Sequence, residues 1–127
     1  MSSTNSYAQE AAQRWPMEYV ESNLKLKSMS KEDQQNLFKL GRDNIKNIAD
    51  AFILQKDASD AEVQDLVAFH YNWVSVFWTP TKDAYIGLGQ LYVMDQRFAQ
   101  NYDKYAPGCA KFMSEAMKIY AQENLSN

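Results

Sequence analysis

Residues 69–105 read FHYNWVSVFWTPTKDAYIGLGQLYVMDQRFAQNYDKY. This stretch contains the only histidine of the chain, two of its three tryptophans and most of its eight tyrosines. It holds more aromatic surface than the core of a small domain needs. Because tryptophan and tyrosine carry a polar tip on an apolar ring, the excess favours a pocket with apolar walls and a few polar anchors.

The helix that enters this stretch has a marked start and a wide apolar face. Ser59 and Glu62 match a capping box, in which two side chains satisfy free backbone N–H groups. Apolar side chains and the histidine then recur at offsets typical of one helix face. They are Val63, Leu66, Val67, His70, Trp73, Val74 and Phe77. A face this wide predicts a helix that is buried centrally or lines a cavity.

Prolines and capping residues divide the C-terminal part of the chain. Pro80 fits the first turn of a helix over residues 80–94, with Thr79 or Thr81 as its cap. Asp95 is the expected cap of a short helix over residues 96–105. Pro107 is expected to open a last helix that frays near residue 124. No segment alternates as a β-strand does, so the sequence predicts an all-α domain of five or six helices.

Toward the N-terminus, Ser30 is the expected cap of a long helix over residues 31–56. Gly41 weakens the middle of this helix or marks a close helix crossing. Before it, residues 6–15 and 17–27 have thin apolar stripes, and Pro16 separates them. We expect an N-terminal helical segment over residues 1–29, acting as a mobile lid, and a helical core over residues 30–127.

Composition excludes several classes of function. The net charge is −3 without a basic block, so we expect no nucleic-acid partner. The sequence has no apolar run long enough to cross a bilayer, and we expect no membrane partner. With one histidine the sequence offers no metal-ligand cluster and no acid–base pair, so we expect no metal, no cofactor and no enzyme. The single Cys109 fits a reducing, cytoplasmic setting.

The order and spacing of many residues resemble a known family. The pattern is His70-x2-Trp73-x3-Phe77, Thr79-Pro80, Tyr85-x2-Leu88-Gly89-x2-Tyr92-Val93-x-Asp95-x-Arg97-Phe98-x2-Asn101-Tyr102-Asp103 and Gly108-x-Ala110-x-Phe112. An N-terminal part, Tyr7-x2-Glu10-Ala11-x2-Arg14-Trp15, agrees as well. Together they resemble the TipAS domain, the antibiotic-recognition domain of some MerR-type regulators.

The resemblance implies a globin-like helical fold with a cleft for large, flat, heterocycle- or arene-rich antibiotics such as thiopeptides or albicidin. It also implies an N-terminal segment that closes over the ligand. The DNA-binding part and the dimerising coiled coil of the full regulators have no counterpart in this sequence. Covalent capture of the antibiotic by a cysteine does not carry over to Cys109, which we expect to be a buried, inert thiol.

For each candidate site residue, a place in the core competes with a place in the pocket. The phenylalanines favour the core, whereas the tryptophans and tyrosines favour the pocket because their polar tips need partners. His70 fits either environment, and Asn101 fits either a ligand contact or a bridge between helices. The candidate ligand-binding residues are Trp15, His70, Trp73, Phe77, Trp78, Tyr85, Tyr92, Phe98, Asn101, Tyr102, Phe112 and Met113.

Two functions follow from these residues. The first is a drug-binding protein that sequesters an aromatic or heterocyclic antibiotic without turnover. The alternative is a structural or regulatory module whose aromatic groove binds a partner helix. For the first, we expect a cavity between the helix of His70 and Trp73 and the helix of Tyr85 and Tyr92, with the last helix closing it.

Overall fold

The computed structural model describes residues 25–127, and all regular secondary structure in this part is helical. The predicted all-α class is therefore confirmed for these residues. After helical residues 25–28, five helices follow one another in the order α1 Lys31–Ile53, α2 Ala61–Ser75, α3 Lys82–Met94, α4 Gln96–Asp103 and α5 Cys109–Asn124. The predicted segment over residues 6–15, most of the segment over residues 17–27, and Trp15 lie outside the described residues.

Side-chain caps fix most of the helix starts. The Ser30 hydroxyl accepts a hydrogen bond from the Asp33 N–H at 3.0 Å, and the Thr81 hydroxyl accepts one from the Ala84 N–H at 3.2 Å. Asp95 caps α4 as predicted, because its carboxylate accepts from the Arg97 N–H at 2.9 Å. Each cap satisfies a backbone donor that has no partner within its own helix.

The start of α2 differs from the predicted capping box by one residue. Asp60, not Ser59, is the N-cap, and its carboxylate accepts from the Glu62 N–H at 2.9 Å. A carboxylate is the stronger acceptor at the positive end of a helix dipole. Glu62 does not reach back to the cap, because its carboxylate pairs with Lys56 Nζ at 2.7 Å.

Pro80 and Pro107 lie before their helices and not in the first turns. After Pro80, Thr81 takes the capping position, and α3 begins at Lys82. Before α5, Gly108 has a φ of 91°, a left-handed conformation that glycine adopts without a steric penalty. Gly108 has no side chain to cap α5, and the Asp103 carboxylate of α4 accepts from the Ala110 N–H at 2.9 Å instead.

The core is organised around α5, which packs along α3 and also contacts α1, α2 and α4. Cys109, Met113 and Met117 of α5 are fully buried. Burial raises the pKa of the Cys109 thiol to about 11, with a further contribution from Asp103. The predicted burial of Cys109 is confirmed, and the thiol stays protonated at neutral pH, which makes it a poor nucleophile.

In residues 25–127 no helix combines the length and the hydrophobicity that crossing a bilayer demands.

Candidate functional site

An open cleft with a volume of about 440 Å³ lies on the face of the bundle where α1, α2, α3 and α4 meet. Aromatic side chains from α2, α3 and α4 dominate its walls, and α1 provides one side. Its lining residues are Phe38, Gly41, Arg42, Asn44, Ile45, His70, Trp73, Tyr92, Phe98, Asn101 and Tyr102. A cleft of this size with largely apolar walls and few polar groups is typical of a small-molecule site.

The α1 side of the cleft was missed by the sequence analysis. Phe38, Gly41, Arg42 and Ile45 all line it, and they are spaced three, four and seven residues apart. That spacing places them on one face of α1. In the sequence, this face combines a glycine, a cation and two apolar side chains. A helix face that is buried in a core rarely has this combination, so it could have indicated a cleft.

Gly41 allows the indole ring of Trp73 to lie directly against the backbone of α1. A Cβ atom at position 41 would lie 2.9 Å from Cζ2 of Trp73, closer than carbon atoms approach without a clash. The indole Nε1–H donates to the Leu37 carbonyl at 2.7 Å, and the Phe77 ring packs edge-on at 5.1 Å. The close helix crossing predicted at Gly41 is thus confirmed, and it holds Trp73 at the wall of the cleft.

We predict that Gly41→Ala destabilises the fold by about 1–3 kcal/mol, because Trp73 must shift to admit the methyl group. The matched control is Gly87→Ala in α3, where a Cβ atom meets nothing within 4 Å. That variant should gain roughly 0.5–1 kcal/mol from the better helix propensity of alanine. Chemical denaturation of both variants measures the two changes. Equal effects of the two substitutions would contradict the close contact between Trp73 and α1.

His70 lies at the inner end of the cleft and joins two tyrosines. Its Nδ1 lies 2.7 Å from the Tyr85 hydroxyl, and its Nε2 lies 3.2 Å from the Tyr92 hydroxyl. Tyr85 is fully buried, and among the described residues its hydroxyl has no other hydrogen-bond partner. Tyr85 therefore donates to Nδ1, because the opposite tautomer would leave its O–H without an acceptor. Nε2–H then donates to the Tyr92 oxygen, and the Tyr92 O–H, which has no acceptor in the described part of the chain, is available to a ligand.

Burial fixes the charge state of this chain of groups. It lowers the pKa of His70 from 6.5 to about 4, so the imidazole is neutral at physiological pH. Burial also raises the pKa of Tyr92, and its phenol stays protonated. The cleft thus presents a neutral hydroxyl donor, and among the described lining residues Arg42 is the only one of a charged type.

Three rings from α3 and α4 continue the aromatic lining beyond His70. Tyr92 stacks on Phe98 with ring centroids 5.6 Å apart and an angle of 30°. It lies 5.7 Å from the Tyr102 ring at 33°. Asn101 is exposed on α4 and Arg42 is exposed on α1, so both polar groups belong to the rim. This arrangement suits a flat ligand whose apolar body enters the cleft while its polar parts contact the rim.

The structure separates the predicted site residues into two groups. His70, Trp73, Tyr92, Phe98, Asn101 and Tyr102 line the cleft together. Absent from the lining are Phe77, Trp78, Tyr85, Phe112 and Met113. Trp15 lies outside the described residues.

The expected closure of the cavity by the last helix is wrong. Phe112 packs on Phe52 with ring centroids 5.1 Å apart, and Met113 is fully buried. Tyr85 is also fully buried, and its hydroxyl is hydrogen-bonded to His70 Nδ1. The physical reason is that α5 occupies the centre of the bundle, so α1 supplies the side of the cavity that the last helix was expected to supply.

The groups in the cleft support binding by stacking and hydrogen bonds. No group of three or more histidine, cysteine, aspartate or glutamate side chains in residues 25–127 is placed to hold a metal ion. Apart from His70 and Arg42, the lining side chains are aromatic, aliphatic or amide groups, with one glycine.

Comparison with known proteins gives one family and several relatives. The model of the TipAS antibiotic-recognition domain matches residues 7–120. The transcriptional regulator SkgA of Caulobacter vibrioides is 30% identical over 118 residues, which are 91% of this chain and 45% of that protein. The transcriptional activator mta of Bacillus subtilis is 40% identical over 68 residues, which are 51% of this chain and 26% of that protein. The chain thus spans less than half the length of these curated relatives.

A solved structure is similar in fold as well. It is TipAS in complex with nosiheptide, from a thiopeptide antibiotic multidrug resistance system of Streptomyces lividans. The TM-score is 0.79 at 25% sequence identity, and the match covers 94% of this chain and 85% of that one. The predicted globin-like helical arrangement is thereby confirmed.

Proposed function

Because this chain belongs to the TipAS antibiotic-recognition domain family, we propose that its cleft binds aromatic, heterocycle-rich peptide antibiotics of the thiopeptide type. The observation that carries the proposal is the aromatic lining of the cleft. The rings of His70, Trp73, Tyr92, Phe98 and Tyr102 line this cleft of about 440 Å³ together with the face of α1. Thiazole, oxazole and pyridine rings are flat and polarisable, so they pack on such walls with little loss of conformational entropy.

The groups in the cleft favour binding without chemical change. His70 is neutral and engaged with two tyrosines, so it is poorly placed to accept a proton from a ligand. Cys109 is fully buried in the core, which disfavours covalent capture of a bound antibiotic. We propose that the protein acts in the cytoplasm by holding the drug, which lowers its free concentration. The open side of the cleft lets part of a large ligand project into solvent.

Isothermal titration calorimetry with nosiheptide tests this function. We expect one site per chain and a negative heat-capacity change, because apolar surface is buried on binding. The matched variants are Phe38→Ser and Ile53→Ser, which both change exposed apolar residues of α1. Only Phe38 lines the cleft, so only Phe38→Ser should weaken binding, by roughly tenfold for the lost apolar contact. Absence of binding, or equal effects of the two variants, would contradict the proposal.

A further inference from the structure

One polar side chain at the cleft has an unmet hydrogen-bonding capacity. Asn44 of α1 lines the cleft and is only 4% exposed. Its Nδ2 donates to the Leu66 carbonyl of α2 at 3.0 Å. Its Oδ1 is buried and has no hydrogen-bond partner among residues 25–127. A buried carbonyl oxygen without a donor is unfavourable, because it has lost its water and gained nothing in exchange.

Packing does not explain why an asparagine stands at this position. Leucine has nearly the same shape, and it would remove the unsatisfied oxygen. The hydrogen bond to Leu66 is a weak reason to keep the amide, because that carbonyl belongs to the middle of α2 and is also an acceptor for the helix. Residues that lower stability without a structural benefit are typical of functional sites.

A second buried amide oxygen shows what distinguishes Asn44. Gln64 Oε1 is also without a hydrogen-bond partner in the part of the chain that the structure describes. Its Nε2, however, donates to the Ala58 and Ala116 carbonyls at 2.7 and 3.1 Å, so Gln64 bridges chain segments inside the fold. Gln64 does not line the cleft, whereas Asn44 does. Of the two, only Asn44 is placed where a ligand can supply the missing donor.

We propose that Asn44 Oδ1 accepts a hydrogen bond from an N–H group of the bound ligand and selects ligands that carry an amide N–H or an indole-type ring N–H at the floor of the cleft. The inference rests on the proposed function of the cleft. The terminal torsion of an asparagine side chain is soft, so a small rotation turns Oδ1 toward the ligand. Removal of the donor from the ligand leaves this buried oxygen unpaired, which is why the discrimination should be strong.

Tyr92 complements this acceptor with a donor. Because its oxygen accepts from His70 Nε2, its own O–H, which has no acceptor in residues 25–127, can donate to a ligand. The floor and the wall of the cleft therefore offer one acceptor, at Asn44, and one donor, at Tyr92. A secondary amide carries the matching N–H and C=O groups, and such amides are the links between the rings of a heterocyclic peptide.

The test uses a matched pair of flat probes, 2-phenylindole and 1-methyl-2-phenylindole, together with nosiheptide. Affinities are measured by NMR titration for the natural protein and for Asn44→Leu. The natural protein should prefer the N–H probe by at least about tenfold, and Asn44→Leu should lose this preference. Asn44→Leu should also bind nosiheptide more weakly, while its thermal unfolding midpoint stays the same or rises.

The outcomes separate the two claims. If nosiheptide binds but the natural protein does not discriminate between the probes, the role of Asn44 is wrong and the proposed function stands. A preference that persists in Asn44→Leu is steric in origin and also overturns the role of Asn44. If neither nosiheptide nor the probes bind to the natural protein, the proposed function fails and the inference falls with it.

Discussion

Acidification from pH 6.5 to pH 4 is expected to remove about 3 kcal/mol from the free energy of unfolding through His70 alone. Burial lowers the pKa of this imidazole from 6.5 to about 4 in the folded protein. Each tenfold change in a proton-binding constant corresponds to about 1.4 kcal/mol. Between the two pKa values the unfolded chain binds a proton that the folded protein does not, so stability falls as the pH falls.

The reason is the pair of tyrosines around the ring. A protonated imidazole has two N–H donors and no acceptor. The Tyr85 hydroxyl could then no longer donate its hydrogen to Nδ1. The charge would also be buried, since His70 is only 5% exposed. The stabilisation is therefore complete above pH 6.5 and is lost progressively down to about pH 4.

Urea denaturation at several pH values, with His70→Gln as the control, measures this effect. Glutamine offers one donor and one acceptor but does not titrate, so its stability should depend less on pH across this window. Carboxylates titrate in both proteins, and their contribution cancels in the difference. Because the chain has one histidine, its ring proton also reports the pKa directly by NMR. A pKa near 6.5, or parallel stability curves, would contradict the buried neutral imidazole.

Replacement of Trp73 by alanine is expected to cost about 3 kcal/mol of stability and to weaken nosiheptide binding by roughly 100-fold. The indole joins α1 to α2 through its contact with Gly41 and its hydrogen bond to the Leu37 carbonyl at 2.7 Å. It also forms part of the wall on which we propose that the ligand stacks. One side chain thus serves both the helix contact and the cleft.

Two further variants separate the roles of Trp73. Trp73→Phe keeps an aromatic wall but loses the N–H donor, so it should recover most of the affinity while remaining less stable than the natural protein. Trp78→Phe changes a tryptophan that does not line the cleft, and it should leave nosiheptide binding unchanged. The denaturation midpoint and the dissociation constant are measured for each. If Trp78→Phe weakens binding as much as Trp73→Ala does, the cleft is not the binding site.

The sequence predicted the apolar face of α2 well. It did not predict which side chains of this face pack in the core and which line the cleft. Val63 and Val67 belong to the core cluster that includes α5, whereas His70 and Trp73 line the cleft. Periodicity identifies which side chains are buried, and it carries no information on which helix covers them. That is why the last helix was wrongly expected to close the cavity.

The polar tips of tryptophan and tyrosine were a useful signal, with two exceptions. Trp73, Tyr92 and Tyr102 line the cleft as their polar tips indicated, but Trp78 and Tyr85 do not. The Tyr85 hydroxyl is hydrogen-bonded to His70 inside the core. A buried polar tip can therefore find its hydrogen-bond partner without a pocket. Conversely, the unsatisfied oxygen of Asn44 emerges only from tertiary contacts, and a sequence pattern contains no sign of it.

The most direct test of the central claim is to locate the ligand by NMR with isotope-labelled protein and nosiheptide. Binding in the cleft predicts the largest shift changes at residues 38–45, at His70 and the Trp73 indole N–H, and at residues 92–102, with small changes along α5. The largest changes along α5, with the Trp73 indole signal unmoved, would contradict the claim that this cleft binds the antibiotic.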